Sequence, residues 1–377
     1  MTRPERSELL SRARRVVVKV GSRVVTADGG GLDGDRIQSL AGEVAELAAA
    51  GRVPLVVSSG AIAAGRPRLG LATRPRSLAE SQAAAAVGQG ALIAAYDAAF
   101  RRRGLTCAQI LLTRDDTRDR RRFLNARRTL EALLRHRVVP VVNENDTVST
   151  EEIRVGDNDH LSAQVAHLVD ADLLILLSDI DALCTGDPYR DPEATPIHEV
   201  AEVDEALLAL AGGSHGTVGS GGMRTKVLAA RQAARYGVAT LILNGHREGE
   251  IARALAGEVV GTLFWPERRR LPSRKQWIAF SLTPEGSLTL DAGACRALRE
   301  RGSSLLPSGI LEVHGEFAAG ALVSCRDPEG REIARGLTNY ASEELVRIRG
   351  RHTREIADLL GYRTYDEVIH RDDLVVL

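Results

Sequence analysis

Two kinds of segment alternate along the first two thirds of the chain. Short, nearly continuous apolar runs occupy residues 16–20, 53–57, 105–112, 138–142, 173–177 and 238–243. Between them lie longer stretches with apolar residues at helical spacing: 33–50, 78–103, 121–137, 157–169 and 223–236. Strands that are apolar throughout must be covered on both faces. Strands separated by helices therefore predict an α/β fold with three α/β/α layers and a mainly parallel sheet. In such sheets ligands bind outside the carboxyl ends of the strands.

The pattern changes after Trp265. Residues 266–275 are charged and flanked by prolines, which predicts a linker. Short runs follow at 277–282, 287–290, 309–313, 321–325 and 332–336. Turn sequences such as Pro284-Glu285-Gly286 and Asp327-Pro328-Glu329-Gly330 separate them. This spacing predicts a small antiparallel β-barrel. The expected organisation is an α/β domain over 1–265, a linker over 266–275, a barrel domain over 276–360 and a C-terminal tail over 361–377.

Composition narrows the classes. At 377 residues two domains are expected. The 50 basic and 50 acidic residues cancel, and after Trp265 each sign numbers 17. A nucleic-acid module should be basic on balance, so nucleic acid is not the expected partner. Cys107, Cys184, Cys295 and Cys325 lie far apart with no Cys-x-x-Cys pair, which reads as reduced thiols. No metal-ligand motif is present. The N-terminus is polar and no apolar run reaches 18 residues, so a cytoplasmic protein without a membrane partner is expected.

The strand ends carry the candidate chemistry. Lys19 and Gly21, Ser58-Ser59-Gly60, Asn143 to Asp146, and Ser178-Asp179 each follow an apolar run directly. Together they offer a cation, hydroxyls, amides and carboxylates, with no histidine base and no activated cysteine. That set suits phosphoryl transfer, which needs positioning and charge neutralisation. Ser59 and Gly60 open a small-residue helix start that predicts an anion site for a substrate carboxylate or the transferring phosphoryl group. The segment from Glu144 to Asp159 is rich in Asx residues. Asp157 and Asn158 suit helix capping, while the two Asx clusters, Asn145-Asp146 and Asp157-Asn158-Asp159, together suit a clamp for an ammonium group or a Mg²⁺ site. Asp187-Pro188 is an ordinary turn or a loop near a nucleotide.

The stretch from Gly216 to Lys226 is glycine-rich, opens a helix and ends in lysine. Backbone N–H groups there predict a phosphate site. It is not a Walker loop, because Met223-Arg224-Thr225 separates the last glycine from the lysine. The chain has only three lysines, Lys19, Lys226 and Lys275. Where arginine fills nearly every basic position, a retained lysine marks a site that needs a slim point charge.

Several motifs carry a family resemblance. Val18-Lys19-Val20-Gly21, Ser58 through Gly65, Arg122-Phe123-Leu124-Asn125-Ala126-Arg127, Val142 through Asp146, Val155 through Asp159 and Gly221 through Lys226 resemble the glutamate 5-kinases of the amino-acid kinase superfamily. Gly302-Ser303-Ser304-Leu305-Leu306-Pro307 and its surroundings resemble a PUA domain. The resemblance covers nearly the whole chain. It implies an amino-acid kinase fold and ATP- and Mg²⁺-dependent phosphorylation of the L-glutamate side-chain carboxylate, the first step of proline biosynthesis. It implies ATP contacts from Lys19, Ser178, Asp179, Ser220, Gly221, Gly222, Met223, Arg224, Thr225 and Lys226. Lys19 and Lys226 would be catalytic, and Ser59, Asp146 and Asn158 would hold glutamate. No dedicated protein metal ligands are expected. Proline as feedback inhibitor, a homo-oligomer and a glutamyl-phosphate reductase partner are further implications. Two departures from the family pattern concern Arg23, which stands in the first glycine turn, and Ser178 and Ser220, which stand where threonine is usual. Kinases for N-acetylglutamate, aspartate, carbamate or UMP, or an RNA-binding protein, are the alternative readings.

Overall fold

The computed structural model describes residues 5–27, 30–71, 73, 75, 77–148, 157–188, 191, 193–212, 222–267, 278, 283–363 and 365–377, with only the backbone of Arg120, Arg121 and Asp157. Glu151, Glu152, Val155 and Gly156, the loop up to Ser220 and Gly221, and the linker residues from Arg268 to Lys275 lie outside the described residues. The chain divides into two compact units, Met1–Arg270 and Leu271–Leu377.

The first unit is built on one eight-stranded sheet. Its strands are β1 (Arg15–Val20), β2 (Val53–Ser58), β3 (Cys107–Leu112), β4 (Val139–Glu144), β5 (Leu173–Ser178), β6 (Glu199–Val200), β7 (Ala239–Asn244) and β8 (Thr262–Phe264), ordered β3-β4-β2-β1-β5-β7-β8-β6. The six long strands pair in parallel, as their nearly continuous apolar sequences predict. β1 lies between β2 and β5, so the chain reverses its direction of travel across the sheet there. That reversal opens a crevice at the carboxyl ends of β1 and β5.

The sequence pattern misses two short strands on one side of the sheet. β8 is antiparallel to β7 and pairs with β6. At three and two residues they are too short to show a period.

Helices start where their caps dictate. Asp33 accepts from the Arg36 N–H at the head of Gly34–Ala49, and Ser77 from Glu80 N–H at the head of Leu78–Arg101. The second of these helices, 24 residues long, is the one described helix apolar and long enough to cross a membrane by length and composition. Its Leu92, Tyr96, Ala99 and Phe100 are instead buried in the core of the first unit.

That same helix makes an unusually close crossing. A Cβ on Gly88 would lie 1.8 Å from the Ala61 carbonyl oxygen, and one on Gly65 would lie 1.9 Å from that of Ala84. The obstacles are backbone atoms, which cannot rotate away, so the helix Ala61–Gly65 touches Leu78–Arg101 through glycine on both sides. Gly88→Ala is therefore expected to destabilise by about 1–3 kcal/mol or more. Gly90 has nothing within 4 Å of its missing Cβ. Gly90→Ala should be neutral or slightly stabilising, since alanine is the better helix former. Paired thermal melts check this, and equal melting temperatures for the two variants would refute the close-contact argument.

In the second unit the described sheet is ordered β10-β9-β11-β12-β13, from β9 (Gly286–Leu290), β10 (Ile310–His314), β11 (Leu322–Arg326), β12 (Glu332–Leu337) and β13 (Leu374–Val376). Two expectations need correction. The sheet is mixed, because β9 and β11 run parallel while the other neighbours are antiparallel. The stretch expected as a tail is structural. β13 pairs with β12, and Val368 and Ile369 are fully buried in the core. Three residues of strand carry too little alternation to be read from sequence.

Candidate active site

β1 alternates its side chains. Val16, Val18 and Val20 join the main core cluster, which leaves Lys19 on the opposite face. That face is covered by the helix Asp157–Leu168, against which Met223–Arg235 packs in turn. Lys19 therefore points into a helix-covered layer although it lies one residue from the strand end.

There the structure brings three charges together. Asp159, on the first turn of its helix, is fully buried. One carboxylate oxygen pairs with the Lys19 ammonium and the other lies 3.5 Å from Lys226 Nζ. The Thr225 hydroxyl donates to that second oxygen at 2.6 Å. Lys19 and Lys226 are themselves only 4% and 5% exposed. Burial alone would push the Asp159 carboxyl up, but Lys19 and then Lys226 outweigh it and hold the group below the usual carboxylate range. Burial, reinforced by Lys19, lowers the Lys226 ammonium below its ordinary value, against the pull of Asp159. Two cations on one anion leave a net positive charge in a poorly solvated place. Such a place favours an incoming phosphate.

A second network lies one residue away. The Asn158 amide donates to Ser59 Oγ at 2.9 Å and to Asn143 Oδ1 at 3.0 Å. Asn143 in turn donates to Gln89 Oε1 at 2.8 Å. Asn158 Oδ1 is buried and has no partner among the described residues. It is an acceptor that a ligand N–H can complete. Ser58, beside Ser59, shares a 2.9 Å hydrogen bond with Tyr96, whose hydroxyl burial pushes up to about 12. Gly60 has φ 113°, a left-handed conformation open to glycine, and this turns the chain into Ala61–Gly65. That helix has only five residues, so its dipole is small and the predicted anion site there rests on side chains and local N–H groups. Asp146 lies just beyond β4 and is 9% exposed.

On the β5 side, Ser178 donates to its neighbour Asp179 at 3.2 Å. Arg23 Nη1 reaches Asp179 Oδ2 at 2.6 Å. Burial pushes the Asp179 carboxyl up, but the Arg23 hydrogen bond and charge, with hydrogen bonds from its own backbone and Ser178, together outweigh it and leave the carboxyl below its usual range. The departure in the first glycine turn thus has a partner across the β1/β5 crevice. Asp179 also acts on Lys226, which ties it electrostatically to the buried cluster.

The glycine-loop residues divide. Gly222 is the N-cap of Met223–Arg235 and has open space at its missing Cβ. Thr225 and Lys226 face Asp159. Met223 is buried, and Arg224 donates to the Leu208 carbonyl at 3.4 Å, toward Glu205–Gly212. Its guanidinium is thus engaged with protein. Ser220 and Gly221 lie outside the described residues, and so does the side chain of Asp157. Asp187 and Pro188 lie in an irregular stretch near Asp191, whose N–H donates to the Asp187 carbonyl at 2.8 Å.

The residue that sequence reasoning undervalued is Asp159. Its signal was a surplus: Asp157-Asn158-Asp159 offers more Asx side chains than one helix cap can use. Among the described residues no group of three His, Cys, Asp or Glu side chains forms a metal cluster.

The chain belongs to the amino acid kinase family, whose profile matches residues 14–244, and residues 286–360 match the PUA domain. Relatives along its full length include glutamate 5-kinases. The enzyme of Citrifermentans bemidjiense is 53% identical over 372 residues, covering 99% of this chain and 100% of its own. That of Moorella thermoacetica is 50% identical over 377 residues, covering 100% of both. Among solved structures, carbamate kinase from Giardia lamblia bound to AMP-PNP covers 68% of this chain and 100% of its own, with 17% identity and a TM-score of 0.49. The protein is thus a kinase of the glutamate 5-kinase group, and ATP is the co-substrate that its family implies.

Proposed function

We propose that the chain transfers the γ-phosphoryl group of ATP to the side-chain carboxylate of L-glutamate. The products are ADP and L-glutamyl 5-phosphate, and the reaction is the first step of proline biosynthesis. The observation that carries this reading is the adjacency of two sites on one helix start. Asp159 gathers two lysines for phosphate, and Asn158 holds a polar network with a vacant acceptor.

The nucleophile is a carboxylate, ionised at neutral pH with an ordinary pKa of about 4.3, so no general base is needed. The bond from Pγ to the β,γ-bridging oxygen breaks while one from Pγ to a glutamate carboxylate oxygen forms. Lys19 and Lys226 neutralise charge on the transferring group. Met223–Arg235 offers its first N–H groups to the nucleotide phosphates, with Gly222 and Thr225 beside them, and Ser178 and Asp179 flank the nucleotide at the end of β5. Asp146, Ser59 and Asn158 hold the amino-acid end of glutamate.

Mg²⁺, carried in on the nucleotide, would offset charge on the phosphates beside Lys19 and Lys226. The carboxylates at the site do not fit a protein cage, because Asp159 is saturated by two ammonium groups and a hydroxyl, and Asp179 by Arg23. The acyl phosphate product is labile, which favours a partner that reduces it at once. Proline, which shares glutamate's α-carboxylate and a positively charged α-nitrogen, is the proposed feedback inhibitor, and a homo-oligomer is the proposed assembly. For the second unit, balanced charge favours a structural or regulatory role over nucleic-acid binding.

The test is ADP release measured with glutamate, N-acetylglutamate, aspartate and carbamate as acceptors. Glutamate should lead. Asp146→Asn should raise the glutamate KM far more than the ATP KM. If instead the ATP KM moves and that for glutamate does not, Asp146 serves the nucleotide and the substrate assignment fails.

A further inference from the structure

The amino-terminal end of the same sheet, opposite the proposed phosphoryl-transfer site, holds a second cavity. It measures about 700 Å³ and opens at the amino ends of β2 and β4. Its walls are apolar and small, with Ala45, Ala48 and Ala49 from one side and Leu105, Leu134 and Val138 from others. Five arginines line it: Arg14, Arg52, Arg103, Arg135 and Arg137. No acidic residue does.

Ordinary structural duties account for part of this charge. Arg52 spends its guanidinium on the carbonyls of Leu10, Ala13 and Ser11, at the end of the helix Arg6–Arg12. The helices Gly34–Ala49 and Arg120–Arg135 end here as well, and their carboxyl ends welcome positive charge. Those ends amount to partial charges of about half a unit each. They offset only part of the charge of the four other arginines, which are solvent-exposed. Among the described residues no carboxylate pairs with Arg14, Arg103, Arg135 or Arg137, although the chain as a whole is electrically neutral. Arg103 is laid across the helix at Gly42, where a Cβ would come within 3.0 Å of its Nη2. Arg137 sits in the left-handed region at φ 57°.

A concave site of this size, lined by apolar side chains and five arginines, has the anatomy of a small-molecule site. We propose that this cavity binds a small organic anion that carries a phosphate group on an apolar body. The arginine forks suit phosphate because they bond it in pairs. The alanine and leucine walls suit a flat or aliphatic body. The site lies across the sheet from Asp159, so its occupant is distinct from the phosphates handled there.

Naphthyl phosphate, which has both features, serves as the probe, with inorganic phosphate and naphthol as its separate halves. Equilibrium dialysis is run at fixed ionic strength on the full chain, with the nucleotide site filled by saturating ADP and Mg²⁺. Naphthyl phosphate should bind at one site per chain and more tightly than either half. Arg103→Ser combined with Arg137→Asn, two exposed positions away from the catalytic machinery, should weaken it at least about tenfold. Asparagine is used at 137 because it tolerates the left-handed backbone. Lys226→Met, at the other end of the sheet, should leave binding unchanged. Melting temperatures and glutamate turnover of the arginine variant should match the parent, which separates loss of a ligand site from loss of fold. Equal binding by parent and arginine variant, binding abolished by Lys226→Met, or no binding by the parent would each overturn the proposal.

Discussion

Asp159→Asn is expected to lower stability by about 3–5 kcal/mol and kcat by roughly two to three orders of magnitude. The first figure follows from burial. The carboxylate is fully buried between two ammonium groups that are themselves buried. Removing one member of a buried ionic group leaves uncompensated charge. The second follows from position. Without the anion, Lys19 and Lys226 repel each other and lose the geometry that offers them to a phosphate, and loss of one preorganised donor already costs about 10² to 10³ in kcat.

A second substitution separates the two effects. Asp159→Asn combined with Lys226→Met removes one cation along with the anion, so the double variant should be more stable than Asp159→Asn alone, yet no more active. Thermal melts and steady-state rates check both halves. A double variant that melts below the single one would show that the cluster is not held by charge balance. The pH dependence has a definite sign. The folded carboxyl is held low, so its contribution is complete above the unfolded value of about 3.9 and is lost as pH falls through the lower folded value. Asp159→Asn should abolish that acid-side loss.

Much of this arrangement is legible in the sequence, and the reasons are specific. The six parallel strands announced themselves because a strand covered on both faces must be apolar throughout, as in Leu173-Leu174-Ile175-Leu176-Leu177. The strand ends followed, since Lys19, Ser59, Asn143 and Ser178 each stand where an apolar run stops. What sequence spacing cannot carry is pairing between elements far apart in the chain. Nothing in Gly156-Asp157-Asn158-Asp159 says that its third Asx residue will meet Lys19, 140 positions earlier, and Lys226, 67 later. Nor does Gly21-Ser22-Arg23 say that Arg23 will cross to Asp179. The short strands β6, β8 and β13 were illegible for a different reason, because two or three residues do not define a period. Arg224 shows the opposite error. A motif suggests that all its side chains face the ligand, while helical geometry turns this one toward Leu208.

Lys19→Arg and Lys226→Arg keep the charge and are nonetheless expected to lose most of kcat, about 100-fold or more each. The retained lysines stand out in a chain with 50 basic residues and only three lysines. An arginine fork is wider, planar and rigid, whereas an ammonium is compact and donates in three directions. Around Asp159 the difference is decisive. Both ammonium groups and the Thr225 hydroxyl share one carboxylate with no solvent between them. A guanidinium there would bind the carboxylate through two nitrogens and displace its neighbour. A shift of ~1 Å in the transferring group can cost about 100-fold in rate. Glutamate affinity should change less, because Asn158, Ser59 and Asn143 form their own network. Lys275→Arg, in the linker expected from the sequence, is the internal control and should be near neutral in rate and stability. Rates, both KM values and melting temperatures for the three variants decide the matter. If the two site variants fold normally and turn over at close to the parental rate, charge alone was required, and the inference from lysine scarcity fails.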